Sequence, residues 1–152
     1  KINNHEVYNP AALRFRIATL VIGEEAQLTI LRKGREKTRA IKLVAPPEDP
    51  PRDHTALSGQ QPISGASVAN LSPALADELG LDAFKSGVIV LDIRQRTPAR
   101  RFGFRAGDRI KMVNGEKIAS VKQLVKLLNQ PTDQWRIVIN RGGKTLNLAI
   151  DK

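Results

Sequence analysis

The chain carries the same stretch of sequence twice, and this repeat limits the fold more than any other feature. Residues 1–6, Lys-Ile-Asn-Asn-His-Glu, align with residues 111–116, Lys-Met-Val-Asn-Gly-Glu, which places Asn4 on Asn114 at a distance of 110 positions (114 − 4). A repeat of this length predicts tandem domains rather than a solenoid, whose repeats run to about 20–50 residues. We therefore expect two related units in one chain.

A second match shows how much of each unit is included. Arg32 aligns with Arg141 at 109 positions (141 − 32), so a single one-residue gap accounts for both matches. The second copy continues back to about Gly59, whereas the first copy stops at Lys1. We expect the C-terminal half of a first domain, followed by a complete second domain.

The segment between the two copies has the composition of a linker. Residues 45–63 hold five of the nine prolines, interspersed with Glu, Asp and Arg. Such a composition favours an extended, semi-rigid spacer. The predicted organisation is residues 1–44 as the half domain, residues 45–63 as the linker and residues 64–152 as the complete domain. The half domain is expected to expose apolar faces and unpaired strand edges, so we expect it to be mobile, swapped with a neighbouring chain or a remnant of proteolysis.

The net charge is the compositional outlier. The chain has 25 Lys and Arg residues against 15 Asp and Glu residues, which gives +10 at pH 7. This charge suits a nucleic acid or an anionic membrane surface. The basic residues are dispersed, however, and four Phe, one Tyr and one Trp make an aromatic platform for bases a poor expectation. A solvated basic surface is favoured, nucleic acid is disfavoured, and contact with a membrane surface stays open.

Catalytic patterns are missing from this sequence. The two histidines are His5, in a turn of the first copy, and His54, in the proline-rich segment; neither has a Ser and an Asp in a context that predicts a triad. No glycine-rich phosphate loop precedes a helix. The absence of cysteine excludes disulfides and thiolate metal sites and is compatible with an oxidising compartment. We predict no catalytic residue, no metal ligand and no cofactor in this chain.

The complete unit predicts a small α+β domain. A β-prone run follows Gly87, an amphipathic helix runs from about Ser120 to Asn129, and Gly142-Gly143 joins two closing strands. Prolines after Ser72 and Thr97 predict two further short helices. The predicted strands cover residues 66–69, 88–93, 109–113, 135–140 and 145–150, and the predicted helices cover residues 74–79, 99–102 and 120–129.

One motif carries a family resemblance. Residues 97–115, Thr-Pro-Ala-Arg-Arg-Phe-Gly-Phe-Arg-Ala-Gly-Asp-Arg-Ile-Lys-Met-Val-Asn-Gly, resemble the bacterial PDZ pattern S/T-P-A-x-x-A-G-L-x-x-G-D-x-I-x-x-(V/I)-N-G. Residues 70–81 are similar to the start of the second PDZ domain of Do-like (HtrA-family) periplasmic serine proteases, which carry two PDZ units in tandem after a protease domain. The sequence departs from the pattern at Phe102, where a small residue is usual, and at His5, where the first copy lacks the usual glycine.

The resemblance implies a peptide groove. In this fold an extended peptide adds as a strand to a sheet edge, and backbone N–H groups hold its carboxylate. By analogy, the amides of residues 86–88 would hold the carboxylate, residues 88–90 would pair with the peptide, and leucines of the main helix would line an apolar pocket. Ser120 would read the antepenultimate residue, and a lysine would stand at the mouth. The expected site residues are Lys85, Ser86, Gly87, Val88, Ile89, Val90, Ser120, Leu124, Leu127 and Leu128.

The leading functional hypothesis follows from the same resemblance. It is a substrate-recognition and regulatory segment of a periplasmic Do-like serine endopeptidase, acting in protein quality control. Such a segment captures hydrophobic C-termini or unfolded proteins for a protease domain that lies outside this chain, and contacts neighbouring subunits. Two alternatives stay open: an anion-binding module for nucleic acid or membrane, and a module that controls oligomer assembly.

Overall fold

The computed structural model describes residues 1–151, and they form two compact units. The first unit is Lys1–Pro46, and the second begins at Pro47. The proline-rich residues after Pro46 therefore fold with the second unit, because Leu57 and Ile63 are apolar side chains buried in its core. No helix in the described residues is long and apolar enough to cross a membrane.

The first unit is a helix followed by a hairpin. Helix α1, Pro10–Ala18, begins at Asn9, whose side-chain oxygen accepts the Ala12 N–H at 2.8 Å. Strands β1, Glu25–Arg32, and β2, Arg35–Lys42, pair antiparallel along their whole length. An Asn cap with proline at the first helical position is a strong helix start. This start is local, and it needs no partner from elsewhere in the chain.

Burial in the first unit is sparse. Among residues 1–46, all of which the structure describes, the buried apolar residues are Ile2 and Ala26, and α1 buries none of its side chains. Several large apolar side chains are exposed instead: Tyr8, Phe15, Ile17, Val21, Ile22, Leu31 and Val44. The expectation that this region is mobile, swapped or a proteolytic remnant stays a prediction.

The second unit is built on one antiparallel sheet. The strands are β3, Thr55–Ala56; β4, Ala66–Asn70; β5, Val88–Ile93; β6, Arg109–Val113; β7, Glu116–Lys117; β8, Gln134–Arg141; and β9, Lys144–Asp151. Their order in the sheet is β3-β4-β5-β6-β8-β9, with β7 paired to β6.

Three helices accompany this sheet. They are α2, Pro73–Glu78; α3, Pro98–Arg101; and α4, Val121–Leu128. Ser72 and Ser120 cap the first and last of them through their side-chain oxygens. The spacing of apolar residues puts one face of α4 into the core, where Val121, Leu124, Leu127 and Leu128 are buried together with Phe104, Trp135, Ile137 and Ile139. The predicted α+β fold is confirmed.

The two copies of the repeat share a turn, but not in the register that the sequence suggests. The Asn114 side-chain oxygen accepts the Arg136 N–H at 2.8 Å, and the Asn3 side-chain oxygen accepts the Gln27 N–H at 2.8 Å. Asn3, rather than Asn4, therefore occupies the place of Asn114. The shift is tolerated because Asn adopts positive φ more readily than most residues: φ is 43° at Asn3 and 65° at Asn4, where the other copy has Asn-Gly.

Candidate functional site

The strand that the sequence assigns to peptide pairing lies inside the sheet. Val88 and Ile89 of β5 pair with β4 on one side and with β6 on the other. Val90 donates its N–H to the Asp108 carbonyl and accepts the Gly107 N–H, both at 2.8 Å. These three residues therefore have no free edge for a peptide, and their predicted pairing role needs correction. The cause is that a β-prone run after a glycine predicts a strand but not its place in the sheet.

The loop before β5 contains the residues whose amides the sequence predicts to hold a peptide carboxylate. Lys85 and Ser86 are exposed, and the Lys85 N–H donates to the Asp82 carbonyl at 3.0 Å. Gly87 has φ of 114°, and its carbonyl accepts the Leu71 N–H at 2.8 Å. The role of this loop in holding a carboxylate stays a prediction.

The predicted residues of α4 are mostly core. Leu124, Leu127 and Leu128 are all buried. Ser120 uses its side-chain oxygen to accept the Gln123 N–H at 3.2 Å, so it caps the helix. Of the three leucines, Leu128 also lines a cavity between α4 and the segment preceding β4.

Strand β4 has a second edge, and a segment of the same chain covers it. Thr55 pairs with Val68 and Ala56 with Ser67 in antiparallel register. At the far end of β4, the Asn70 N–H donates to the carbonyl of Arg52 at 2.6 Å. Residues 51–57, called the inserted segment below, thus bond the outer edge of β4 at both of its ends, through the short strand Thr55–Ala56 and through Arg52, with a bend at Asp53, where φ is 49°.

The end of the inserted segment is its most closely held part. Leu57 donates its N–H to the Ala66 carbonyl and accepts the Gly65 N–H at its own carbonyl, both at 2.8 Å. Its side chain is 4% exposed and belongs to the main core cluster. A backbone amide thus meets the carbonyl of Leu57 at the point where a peptide ending there would place its carboxylate.

A cavity lies between the inserted segment and α4. Its volume is about 160 Å³. Its walls are residues of the inserted segment and of the following loop on one side and of α4 on the other: Thr55, Ala56, Leu57, Ser58, Gln61, Val125, Leu128 and Asn129. Strand β4 and α4 therefore form the two sides of a groove that the inserted segment partly fills.

The loop at the end of this groove requires a glycine. Gly65 has φ of 93°, and a Cβ atom there would lie 2.3 Å from Cβ of Thr97. Any side chain at this position would displace the turn that holds Thr97. Sequence reasoning missed Gly65, although one signal was present: Gly65 precedes the short predicted strand 66–69, as Gly87 precedes residues 88–93. The outer edge of the first of these strands, which the short β3 covers, appears only in the structure.

An ionic cluster holds the start of the inserted segment. The Arg52 guanidinium donates to Glu48 at 2.7 Å and to Glu78 of α2 at 2.8 Å. Hydrogen bonds from Arg52 lower the pKa of both carboxyls, and the bonds to Glu78 and then to Glu48 raise the pKa of Arg52. The Pro47 carbonyl also accepts the Ala74 N–H at 3.1 Å. These contacts tie residues 47–52 to α2.

A second ion pair holds the Gly-Asp turn of the family motif. Asp108 is fully buried, and Arg141 binds it through Nε at 2.6 Å and Nη2 at 2.7 Å. The Arg141 Nη2 also donates to the Gly103 carbonyl at 2.8 Å, and the hydrogen bond to Asp108 raises the pKa of Arg141. A two-bond guanidinium–carboxylate contact fixes orientation as well as charge. Its role is to join the turn before β6 to the β8–β9 hairpin.

Among residues 1–151 no group of three or more His, Asp or Glu side chains is placed to hold a metal ion. The geometry consists of a groove, an edge strand and backbone amides.

A small antiparallel sheet with a groove between an edge strand and a helix defines a class of domains that take extended segments by strand addition. A family profile described as PDZ domain matches residues 62–151, and the chain therefore belongs to the PDZ domain family. The PDZ fold expected from the sequence is thus confirmed.

The relatives sharpen this assignment. The chain is 26% identical over 149 residues to the periplasmic serine endoprotease DegP of Salmonella typhimurium, covering 98% of this chain and 28% of the relative. It is 31% identical over 142 residues to a probable periplasmic serine endoprotease DegP-like of Chlamydia trachomatis, covering 92% and 27%. The chain thus spans little more than a quarter of the length of these relatives. The resemblance to Do-like proteases is confirmed.

A solved structure is similar in fold. The structure described as HtrA-type protease AlgW with decapeptide superposes with a TM-score of 0.51 at 28% identity, over 57% of this chain and 27% of that one. The matched part amounts to about one PDZ unit.

Proposed function

We propose that this chain recognises extended peptide segments and serves as the regulatory PDZ part of a periplasmic Do-like serine endopeptidase. The observation that carries the proposal is the inserted segment itself. It shows that the outer edge of β4 accepts an antiparallel strand and that the groove beside α4 accepts an apolar side chain, that of Leu57. A peptide with a hydrophobic C-terminus meets the same two requirements.

This proposal moves the pairing strand from β5 to β4. The carboxylate of a peptide ending at the position of Leu57 would face the amide of Gly65, which already donates at 2.8 Å to the Leu57 carbonyl. Leu128 and Val125 of α4 would contact the last side chain. The previously expected amides of residues 86–88 remain a competing location for the carboxylate, and the experiment below separates the two.

The parent protein supplies the rest of the proposal. The relatives are named periplasmic serine endoproteases, and their similarity extends over 92% or more of this chain. Residues 1–44 would then be the C-terminal half of a preceding PDZ domain, which the shared turn of Asn3 and Asn114 supports. Catalysis, substrates such as unfolded proteins and contacts with neighbouring subunits belong to the whole protein, with its active site outside this chain.

The test is a titration followed by amide NMR shifts. The probe is the pentapeptide Asp-His-Thr-Ala-Leu, as the free acid and as the C-terminal amide, added to the intact chain and to Leu57→Ala. We expect the acid to shift Gly65 to Asn70 and α4 and to bind at least about tenfold more tightly than the amide, because a carboxylate accepts stronger hydrogen bonds than a neutral amide. Shifts centred on residues 85–88 would instead place the peptide carboxylate at the amides of residues 86–88. No shifts in either protein would contradict peptide recognition.

A basic surface keeps one alternative in view. Arg94, Arg96, Arg100, Arg101 and Arg105 are all exposed around α3. If contact with an anionic membrane is the function, binding to vesicles with anionic lipid will fall steeply with salt and will not depend on added peptide. Salt-independent binding of the pentapeptide, without vesicle binding, would reject this alternative.

A further inference from the structure

We propose that the inserted segment is an internal ligand: residues 51–57 occupy the peptide groove, and an external peptide binds only after they leave it. This inference rests on the proposed function and adds a regulatory step to it. It is carried by the hydrogen bonds, the burial and the attachment of the segment, each of which resembles that of a bound peptide more than that of a linker.

The hydrogen bonds of the segment reach both ends of the outer edge of β4. They begin at the carbonyls of Pro51 and Arg52, which accept from the Asn70 side chain at 2.8 Å and the Asn70 N–H at 2.6 Å. They continue through the antiparallel pairs at Thr55 and Ala56 and end at Leu57. A second strand cannot pair with the same edge of β4, so the inserted segment and an external peptide exclude each other.

Asn70 connects the occupied edge to the helix wall of the groove. While its backbone and its side-chain nitrogen bind the inserted segment, its side-chain oxygen accepts the Val121 N–H at 2.7 Å. Val121 is the first residue of α4. Asn70 therefore holds both the occupant and the start of the helix that contacts it.

The segment is attached at both ends by contacts of different strength. Leu57 is buried at one end, whereas at the other end Arg52 is held by Glu48 and Glu78 at the surface. Exposed ion pairs contribute little free energy and are screened by salt. Release is therefore expected to begin at Arg52, with the burial of Leu57 setting how often the groove is open.

The decisive experiment locks the segment in place. Ala56 and Ser67 face each other across β3 and β4, next to the hydrogen-bonded position of Leu57. Such a non-hydrogen-bonded pair brings the two Cα atoms to about 4.5 Å, within the range for a disulfide. The chain has no cysteine, so an introduced pair can form only one bond. In the double variant Ala56→Cys, Ser67→Cys, oxidation will close the groove permanently.

The readout is binding of the Asp-His-Thr-Ala-Leu free acid to the full chain. We expect the oxidised double variant to bind about tenfold more weakly, or worse, than the same variant in its reduced form, since apparent affinity scales with the fraction of open groove. The control is the single variant Ala56→Cys, whose binding should be the same before and after treatment with the oxidant. Equal binding by the oxidised and reduced forms would overturn the internal ligand while leaving peptide recognition intact. Failure of every form to bind would contradict the proposed function itself.

Two substitutions test the same mechanism without a cross-link. Leu57→Ala should bind the peptide at least about tenfold more tightly than the parent chain, because the open fraction rises. Arg52→Ala should give a smaller gain, about two- to fivefold, because its ion pairs are exposed. Arg136→Ala removes an exposed arginine that bonds Gln134 instead, and it serves as the matched control without effect. Unchanged binding in both Leu57→Ala and Arg52→Ala would also overturn the proposal.

Discussion

The two hairpins of the molecule have the same length and very different surroundings. Strands β1 and β2 have eight residues each, as do β8 and β9, and each pair is antiparallel throughout. Yet β8 buries Trp135, Ile137 and Ile139, whereas β1 buries only Ala26. Local sequence is sufficient to define a hairpin, but burial comes from the strands and helices packed against it.

The helices repeat this contrast. Asn9 and Ser120 each cap a helix with a side-chain oxygen. Helix α4 buries four residues, and α1 buries none. Most helical stability in proteins comes from packing of an apolar face rather than from helix propensity. The same kind of helix cap therefore begins a packed helix in the second unit and an exposed helix in the first.

The largest expected effect separates the hairpins directly. Ile139 in β8 and Ile30 in β1 occupy matching positions, 109 residues apart (139 − 30). Ile139→Ala should lower the free energy of unfolding of the second unit by about 3 kcal/mol, because it leaves a cavity in a closed core. Ile30→Ala should cost less than about 1 kcal/mol, since its side chain is half exposed. Urea unfolding followed by Trp135 fluorescence reports the second unit.

The control for this comparison is the behaviour of Trp135 in Ile30→Ala. Trp135 is the one tryptophan and lies in the second unit, so its transition should not move. Equal losses for the two substitutions, each followed in its own unit, would break the contrast between a packed and an exposed hairpin.

The next effect concerns the two aligned arginines. Arg141→Ala would leave the buried Asp108 carboxylate without its partner, which should destabilise the second unit by about 2–3 kcal/mol. Arg32→Ala removes an exposed side chain and should change stability by less than about 0.5 kcal/mol. Thermal unfolding of both variants checks this. If the double variant Asp108→Asn, Arg141→Ala lowers the unfolding temperature no more than either single variant does, the two residues act as a pair.

The helix caps should give a smaller difference. Ser120→Ala and Asn9→Ala each remove one side-chain acceptor, with a local loss of about 1 kcal/mol. Hydrogen exchange of the Gln123 and Ala12 amides, which donate to these caps, should accelerate in each case. Global unfolding of the second unit should respond to Ser120→Ala alone. A response of equal size to Asn9→Ala would show that the units are not independent.

The smallest effect is a difference in pH response. The pKa values of Glu48 and Glu78 lie below their ordinary 4.5, so their contribution is present above pH 4.5 and is lost as pH falls through the lower folded values. The pKa of Lys1 is raised above 10.5 by hydrogen bonding to Glu6, so its contribution is present below pH 10.5 and is lost as pH rises through the higher folded value.

Two amides report these opposite responses. The Asn70 amide donates to the backbone carbonyl of Arg52, and its NMR signal should shift on acidification. The Thr29 amide donates to the backbone carbonyl of Lys1, and its signal should shift at high pH. Arg52→Ala should abolish the acid shift at Asn70. An acid shift that persists in Arg52→Ala would assign it to another group.

The elements of the fold were largely readable from the sequence, but their neighbours were not. Residues 88–93 and 109–113 form strands with the predicted bounds, because glycine punctuation and β-branched runs are local signals. Whether a strand lies at an edge depends on partners far along the chain, so the sequence alone favours β5, whereas the proposed groove lies beside β4. The repeat alignment failed for a similar reason, since Asn3 and Asn4 are equivalent by composition and differ only in their hydrogen bonds.

The linker shows a second limit. Proline content predicts an extended segment, and Thr55–Ala56 is indeed a strand, but composition reveals neither the bend at Asp53 nor that Leu57 reaches a core. A single leucine among prolines and charged residues hardly changes the mean hydropathy of the segment. Its importance arises from the groove beside it, which only the tertiary structure provides.

The short connection after the inserted segment has a quantitative consequence. Leu57 is followed eight positions later by Gly65, the residue whose amide it meets (65 − 57). A ligand that belongs to the same chain and is tethered so closely competes as an intramolecular ligand, at an effective concentration of about millimolar or more. On the proposal that residues 51–57 are an internal ligand, a dilute peptide of modest affinity will rarely displace them, whereas a ligand that presents many hydrophobic segments at once raises the local supply of competitors. The groove would therefore respond to the density of exposed segments rather than to the presence of a single one.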